Sequence, residues 1–502
     1  MDMLRLASLF TDGAVLCRDR EIRIFGRADS GKTVSVLLLD NRGSVLAEES
    51  GTARDGRFEI SLPPQRAQTG CGLVVTCEGE RVSAEDIAVG DVYLAGGQSN
   101  MELELRNSRG GIEQVEDDPL LRFYNVPRLA WVSDEQQEAV RNTRWKGVDR
   151  ETAGYNSAVA SIFGQIMRRR HPEIPVGIIG CYWGGTSVVC WMDEETLDSL
   201  SEGIRYRKEY EERCGGKTME TYLEEQEAFN KYSWGWGEKA EEYIKGHPGA
   251  TQGEIEAAIG KYIWNPPAGP GSPYRPAGLT ESMLLEVAPV SLTAVLYYQG
   301  EEDTWRTDHY DVLMTAMIRY WRGIFRNAEL PFLFVQLPMW LDNGAKDTFN
   351  WPKTRLAQAA VRDSVRNTGM ICLLDEGEYG NIHPVNKQPV GIRLAELAEK
   401  MLYGGTGEES PRAIGHWTRG SSMIVLLSQS VRTKDGEAPE LLEIAGEDGK
   451  FVPAEGEVEE GVIRIRSARV EHPTAVRYAW TDWSDKVNLT GENGLPLEPF
   501  WL

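Results

Sequence analysis

Hydrophobic and polar positions alternate over short runs in the first part of the chain. Residues 21–26 and 34–39 form two such runs, separated from their neighbours by Asp-Ser-Gly, Asn-Arg-Gly and Arg-Asp-Gly turns. A period of two, interrupted by glycine-containing turns, is typical of antiparallel strands that bury one face. The pattern predicts an N-terminal β-sandwich domain over residues 1–87.

The pattern changes in the middle of the chain, where apolar runs alternate with amphipathic segments of helical period. The predicted strands are residues 92–95, 176–179, 293–298, 332–336 and 370–374. The predicted helices include residues 157–170, 310–325 and 387–402. This alternation predicts an α/β domain over residues 88–405, with a parallel sheet and helices on both of its faces.

Short strands return towards the carboxyl end, at residues 423–427, 461–466 and 475–480, and predict a C-terminal β-domain over residues 406–502. Residues 194–272 are highly charged and predict a helical insertion in the α/β domain. The insertion carries the rings of Tyr232, Trp234, Trp236 and Trp264. Such rings can stack on sugars, but we favour packing of the insertion against the body of the protein.

The net charge, the first ten residues and the cysteines limit which partners, which location and which metal sites we expect. The net charge is -23, which disfavours nucleic acid and anionic membranes and leaves small or neutral substrates. The first ten residues lack a basic stretch followed by an apolar one, so we expect a cytoplasmic protein. The seven cysteines show no C-x-x-C spacing, which predicts reduced thiols and no zinc site.

Residues with catalytic chemistry follow the predicted strands at their carboxyl ends, where open α/β sheets bind ligands. Ser99 follows two glycines after the first strand, and residues 180–187 form a loop of small residues after the second. Gln299 and His383 follow two later strands. A serine at this position can be a nucleophile, but the same turn can also do no more than connect a strand to a helix. Among the six histidines, His309 is the rival base to His383.

Four motifs in fixed order carry a resemblance to a known family. They are Gly-Gln-Ser-Asn-Met at 97–101, Trp-Gly-Gly-Thr at 183–186, Tyr-Gln-Gly-Glu at 298–301 and Ile-His-Pro-Val-Asn-Lys at 382–387. Together they resemble the sialate O-acetylesterase family of SGNH-type hydrolases, which includes bacterial xylan and xyloglucan acetylesterases. The resemblance implies a three-layer α/β/α catalytic domain between the two β-domains, acting without metal or organic cofactor.

Carried onto this sequence, the resemblance makes Ser99 the nucleophile and His383 the base that then protonates the leaving sugar oxygen. It places the oxyanion hole at the amides of Ser99 and Gly184 and the side chain of Gln299. Well-placed donors of this kind contribute on the order of 3 kcal/mol each. Many relatives place the triad aspartate three or two positions before the histidine, where this chain has Gly380 and Asn381.

The third member of the triad is therefore open. Either Asp375 or Glu378 folds back to orient His383, with a weak preference for Glu378, or a backbone carbonyl orients it in a Ser-His dyad. The predicted substrate-binding residues are Asn100, Glu301, Arg275 and Arg306. For Glu301 we favour bracing of its loop, and the two arginines either receive a sialic acid carboxylate or brace loops.

The predicted function is hydrolysis of acetyl esters on sugars, with an acetylated mono- or oligosaccharide as substrate. One alternative is an esterase for acetylated xylan, xyloglucan or manno-oligosaccharides rather than sialate. The other is a carbohydrate-binding protein on a hydrolase scaffold that has lost catalysis. The sugar, the acetylated hydroxyl and the oligomeric state, including a homo-oligomer, stay open at this point.

Overall fold

The computed structural model describes residues 4–247 and 250–502. Its packing divides the chain into two compact units. The first holds the chain up to residue 222 with residues 268–299 and 313–334, and the second holds residues 223–267, 300–312 and 335–502. Residues 1–3 of the predicted N-terminal domain and residues 248 and 249 of the predicted insertion lie outside the described residues. The boundaries of the three predicted domains stay a prediction.

Short strands fill the N-terminal part of the first unit, as the alternation predicts. They are β1 (Arg5–Leu6), β2 (Val15–Cys17), β3 (Ile22–Arg27), β4 (Thr33–Leu39), β5 (Val45–Thr52), β6 (Arg57–Leu62) and β7 (Gln68–Cys77). Strands β1, β3 and β6 form one antiparallel sheet, and β4 pairs antiparallel with β5 and β7. Val34, Val36 and Leu38 are fully buried on one face of β4, which explains the period of two in its sequence.

Strand β8 (Glu80–Gly97) is 18 residues long and runs across the predicted boundary at residue 87. Its first half pairs antiparallel with β7, and its second half enters the central sheet. Every residue from Ile87 to Gly97 is buried. Burial on both faces explains why the sequence reads here as a continuous apolar run rather than an alternation.

The remaining strands of the central sheet in the first unit are β9 (Asp118–Asn125), β10 (Lys146–Val148), β11 (Val176–Tyr182), β12 (Ala294–Tyr298) and β13 (Phe332–Val335). Their order is β10-β9-β11-β8-β12-β13. The prediction of a wholly parallel sheet is wrong at one edge, because β10 pairs antiparallel with β9 and makes the sheet mixed. A three-residue edge strand of Lys-Gly-Val carries too little periodicity to be predicted.

Helices account for the amphipathic segments of the sequence. They are α1 (Ser99–Glu102), α2 (Asp134–Asn142), α3 (Ala158–Arg170), α4 (Glu194–Asp198), α5 (Ser201–Cys214), α6 (Met219–Gly246), α7 (Gln252–Ile259), α8 (Leu285–Val287), α9 (Tyr310–Ile324), α10 (Asn350–Ser364) and α11 (Gln388–Leu402). The three helices predicted from periodicity are confirmed as α3, α9 and α11. The Ser157 hydroxyl caps α3 by accepting the Ala160 N–H at 3.1 Å.

The structure also contains short turns of other helical types. The 3₁₀ turns are Leu105–Asn107, Gly111–Gln114, Ala153–Tyr155, Val188–Trp191 and Glu301–Arg306, and a π turn spans Thr280–Leu284. The predicted insertion is helical, as α4 to α7. Within the second unit its rings pack on one another, with Tyr232 stacked on Tyr262 at 5.6 Å, whereas Trp234 is 72% exposed.

The second unit contains β14 (Thr368–Ile371) and the C-terminal strands. These are β15 (Ala413–Arg419), β16 (Ser422–Leu427), β17 (Val431–Thr433), β18 (Leu442–Ala445), β19 (Val452–Pro453), β20 (Glu455–Glu459), β21 (Val462–Arg466), β22 (Ala475–Tyr478), β23 (Leu489–Gly491) and β24 (Phe500–Trp501). Val425, Ile463 and Tyr478 belong to one buried cluster of this unit. The three strands predicted near the carboxyl end are confirmed as β16, β21 and β22.

All seven cysteines are free thiols in the structure, and six of them are buried. In residues 4–247 and 250–502, none of the helices is long and apolar enough to cross a membrane. No group of three or more histidine, cysteine, aspartate or glutamate side chains in the described part of the chain is arranged to hold a metal ion.

Candidate active site

Three predicted site residues of the first unit follow strands that end at the same level. Gly97 of β8 is in register with Tyr182 of β11 on one side and with Tyr298 of β12 on the other. The next residues along these strands lead into Ser99, Gly184 and Gln299. Parallel strands in register bring residues that are far apart in sequence to one rim of the sheet.

Gly97 allows this close packing beneath the serine. Its φ is +129°, and a Cβ at this position would lie 2.1 Å from the carbonyl oxygen of Tyr298. No other residue fits there, which explains the glycine immediately before Gln98 and Ser99. Ser99 is half-buried and is the first residue of helix α1, whereas Asn100 beside it is fully buried.

The side chain of Gln299 is buried and already bonded within the chain. Its Nε2 donates to the carbonyl oxygen of Thr186 at 3.1 Å and to Oε1 of Gln98 at 3.2 Å. The Gly184 N–H, a second predicted oxyanion donor, donates to the carboxylate of Glu102. An oxyanion would have to compete with these acceptors for the two donors.

His383 lies in a tightly bonded loop of the second unit. Its backbone N–H donates to Oδ1 of Asn381 at 3.0 Å. The two carboxylate oxygens of Glu378 accept from Nδ2 of Asn381 at 2.7 Å and from the backbone N–H of Val385 at 3.0 Å. Glu378 thus ties together the residues on both sides of the histidine.

Asp375, the other predicted carboxylate, faces an arginine of helix α11. Nη1 and Nη2 of Arg393 donate to its two oxygens at 2.8 and 2.7 Å. Nη1 also donates to the carbonyl oxygen of Cys372 at 2.6 Å. This bidentate pair fixes the start of the loop to the helix that follows it.

A buried lysine accompanies the histidine. Lys387 is 1% exposed, and burial lowers the pKa of its ammonium to about 8, against the opposing charges of Glu301 and Glu378. Burial, followed by the charge of Lys387, lowers the pKa of His383 to about 4. The half-buried imidazole is therefore neutral at neutral pH, the form that can accept a proton.

The remaining predicted residues have contacts of their own. Arg275 donates to the carbonyl oxygens of Ala130 and Ser272 and pairs with Glu281 at 3.2 Å. The guanidinium of Arg306 lies 4.2 Å from the ring centre of Trp305.

Two more predicted residues differ in exposure. Glu301 is 5% exposed and begins a 3₁₀ turn. His309, the rival base, is exposed in the turn before α9.

Comparisons with known proteins indicate the same family as the four sequence motifs. The family model described as "Carbohydrate esterase, sialic acid-specific acetylesterase" matches residues 238–397. Sialate O-acetylesterase of Rattus norvegicus is 24% identical over 92% of this chain and 86% of its own length, and that of Homo sapiens is 23% identical over 95% and 88%. A carbohydrate acetylesterase from Xanthomonas citri superposes with a TM-score of 0.77 at 26% identity, covering 99% of both chains.

The resemblance to the sialate O-acetylesterase family is confirmed. These relatives and the shared fold support a hydrolytic esterase of the carbohydrate acetylesterase type. The range that matches the family model contains Gln299, Glu301 and His383, and Ser99 and Gly184 precede it.

Sequence reasoning missed several residues that contact the predicted site. Glu102 could have been noticed, because it lies three residues after Ser99 and so shares a helix face with it. Lys387 has a local signal, because it lies four residues after His383 and ends the motif at 382–387. Arg128 and Arg393 carry no local signal, because their partners are 26 and 18 residues away.

Proposed function

We propose that this protein hydrolyses acetyl esters on sugars, with Ser99 as nucleophile and His383 as general base. The observation that carries the proposal is the common register of β8, β11 and β12, from which Ser99, Gly184 and Gln299 follow at one rim. Neutral His383 accepts the Ser99 proton as the hydroxyl attacks the acetyl carbonyl. The protonated imidazole then gives this proton to the leaving sugar oxygen, and water hydrolyses the acetyl-serine.

The predicted oxyanion donors are the Ser99 amide, the Gly184 amide and Gln299. Gln299 can serve if one of its bonds, to Thr186 or to Gln98, exchanges for a bond to the oxyanion. The exchange leaves one of these acceptor oxygens without its donor, and the stronger, charge-assisted bond to the oxyanion offsets that loss. Gln299 is buried and bonded to Gln98, which holds this donor next to the serine turn.

For the residue that orients His383, the contacts favour Glu378 over Asp375. Both oxygens of Asp375 are used by Arg393. The oxygens of Glu378 instead accept bonds from Asn381 and Val385, on the two flanks of the histidine, so of the two carboxylates Glu378 is the one in direct contact with the segment that carries His383. A backbone carbonyl in a Ser-His dyad is the alternative.

The proposed substrate is an acetylated mono- or oligosaccharide. Sialate is one sugar and neutral xylan, xyloglucan or manno-oligosaccharides are others, and the contacts of Arg275 favour loop bracing over carboxylate binding. We also propose a cytoplasmic location. Residues 88–405 are proposed as a three-layer SGNH domain between the two β-domains.

A comparison of wild type with Ser99→Ala on 4-nitrophenyl acetate tests the enzyme class. We expect turnover by the wild type that is lost in the variant, whereas a binding protein without catalysis gives none in either. Release of acetate from a panel of acetylated oligosaccharides, followed by mass spectrometry, then identifies the sugar and the position of the acetyl group.

A further inference from the structure

The loop of residues 183–186 is tied down at each end. The Trp183 N–H donates to the carbonyl oxygen of Gly97 at 3.1 Å, immediately before the serine turn. At the other end, the Thr186 carbonyl accepts from Gln299. The Thr186 hydroxyl also donates to the carbonyl oxygen of Trp183 at 2.7 Å and closes the loop on itself.

The middle of this loop is held by Glu102. One carboxylate oxygen, Oε2, accepts the Gly184 N–H at 2.5 Å, and the other, Oε1, accepts from Nη1 of Arg128. Glu102 ends the one-turn helix that begins with Ser99. A Cβ on Gly184 would lie 3.2 Å from both Glu102 Oε2 and the Ser99 Cβ, so the loop, the serine and the carboxylate are in close contact.

We propose that Glu102 is a positioning residue of the serine site, which anchors the Gly184 amide and thereby holds the 183–186 loop against Ser99. The inference deepens the proposed function and rests on it. It also changes one detail, because the Gly184 N–H then serves the loop and the oxyanion depends on the Ser99 amide and Gln299. Charge-assisted bonds of this kind are short and strong.

The two contacts of Glu102, with Arg128 and with Gly184, differ in how much they contribute to stability. Arg128 is 56% exposed, and ion pairs in solvent contribute little. The Glu102 side chain is 21% exposed, and burial raises the pKa of its carboxyl, against the charge of Arg128 and the Gly184 bond. The bond to Gly184 is therefore the contact that matters, and Arg128 serves to orient the carboxylate.

Three substitutions separate these contributions. Glu102→Ala removes the acceptor, and Glu102→Asp keeps the charge but shortens the side chain so that it no longer reaches Gly184. Glu102→Gln keeps an amide oxygen that can accept the Gly184 N–H. Glu104→Gln is the matched control, because Glu104 pairs with Arg106 on the same segment.

The readouts are kcat and KM on 4-nitrophenyl acetate, together with the rate at which a fluorophosphonate labels Ser99. We expect kcat and the labelling rate to fall by about tenfold to a hundredfold in Glu102→Ala and Glu102→Asp, because small displacements of reacting groups are costly. KM should change little. Glu102→Gln should retain most activity, and Glu104→Gln should match the wild type.

A merely structural role would lower the melting temperature of Glu102→Ala and Glu102→Asp but leave kcat and the labelling rate of the folded variants unchanged. If Glu102→Ala does not fold, Glu102→Asp carries the test. If Glu102→Ala and Glu102→Asp both show the wild-type kcat or a higher one, the inference is wrong and the proposed function stands. A wild type without turnover overturns the proposed function and the inference with it.

Discussion

The carboxylate of Glu378 accepts a hydrogen bond from the side chain of Asn381, with 2.7 Å between Oε2 and Nδ2. Asn381 in turn accepts from the backbone N–H of His383 at 3.0 Å. The position of the histidine backbone therefore depends on a carboxylate five residues earlier. This chain of contacts makes Glu378 the first residue to test for orientation of the base.

We expect Glu378→Gln to lower kcat far more than Asp375→Asn. Loss of a triad carboxylate costs up to about 10⁴-fold, because the imidazolium is no longer stabilised. Steady-state kinetics of both variants and of Glu376→Gln measures the difference. If all three retain more than about a tenth of the wild-type kcat, no carboxylate of this loop orients His383, and a dyad held by a backbone carbonyl replaces it.

Asp375→Asn should instead lower stability. The change breaks the bidentate pair with Arg393, whose side chain is only 11% exposed. Loss of a hydrogen bond to a buried charged group costs about 1–3 kcal/mol. Urea denaturation measures this cost, and Glu376→Gln is its control because Glu376 lies farther from the same arginine, at 3.6 Å. Equal midpoints for the two variants would contradict the assignment.

The pH dependence should reflect the unusual environment of His383. A base must be neutral, and a pKa of about 4 keeps this imidazole neutral throughout the range from neutral pH down to mild acid. The acid limb of kcat/KM should therefore lie well below pH 6.5, the ordinary value for histidine. An acid limb at that ordinary value would show that another environment surrounds the base.

Lys387→Met should move this limb upwards. The charge of Lys387 is the second cause of the lowered pKa of His383, after burial, so its removal lets the pKa rise part of the way. Lys400→Met is the control and should leave the profile unchanged, because Lys400 lies in the last turn of helix α11, which Lys387 precedes, and is exposed and paired with Glu409. If Lys387→Met leaves the pH profile of kcat/KM unchanged, the charge of Lys387 does not influence the pKa of His383.

Gln299→Ala should act mainly on kcat. The variant loses an oxyanion donor together with the bonds to Thr186 and Gln98, and removal of one such donor costs about 10² to 10³ in kcat. KM should change much less, because the oxyanion exists only in the transition state. A change in KM alone would make Gln299 a substrate-binding residue.

Much of the fold was predictable because local pattern and burial agree. The apolar run at residues 92–95 lies in the fully buried half of β8, and the helical period at residues 157–170 corresponds to α3. The convergence of Ser99, Gly184 and Gln299 was predictable from strand ends, because parallel topology itself brings such ends together.

Other features depend on tertiary contacts that no local pattern records. The edge strand β10 is too short to show a period, and its direction depends on pairing with β9. The partner of Asp375 is an arginine on helix α11, and the loop sequence alone does not distinguish a carboxylate bound to arginine from one free to orient a histidine. The contact of Glu102 with Gly184 likewise spans 82 residues.

The most direct measurement of the central claim is covalent labelling of the wild type with a fluorophosphonate, followed by peptide mass spectrometry. We expect one adduct per chain, on the Ser99 hydroxyl, formed in step with the loss of activity on 4-nitrophenyl acetate. Ser99→Ala, with an unchanged melting temperature, should neither be labelled nor turn over the ester. An adduct on another residue, or full activity in Ser99→Ala, would contradict the assignment of Ser99 as the nucleophile.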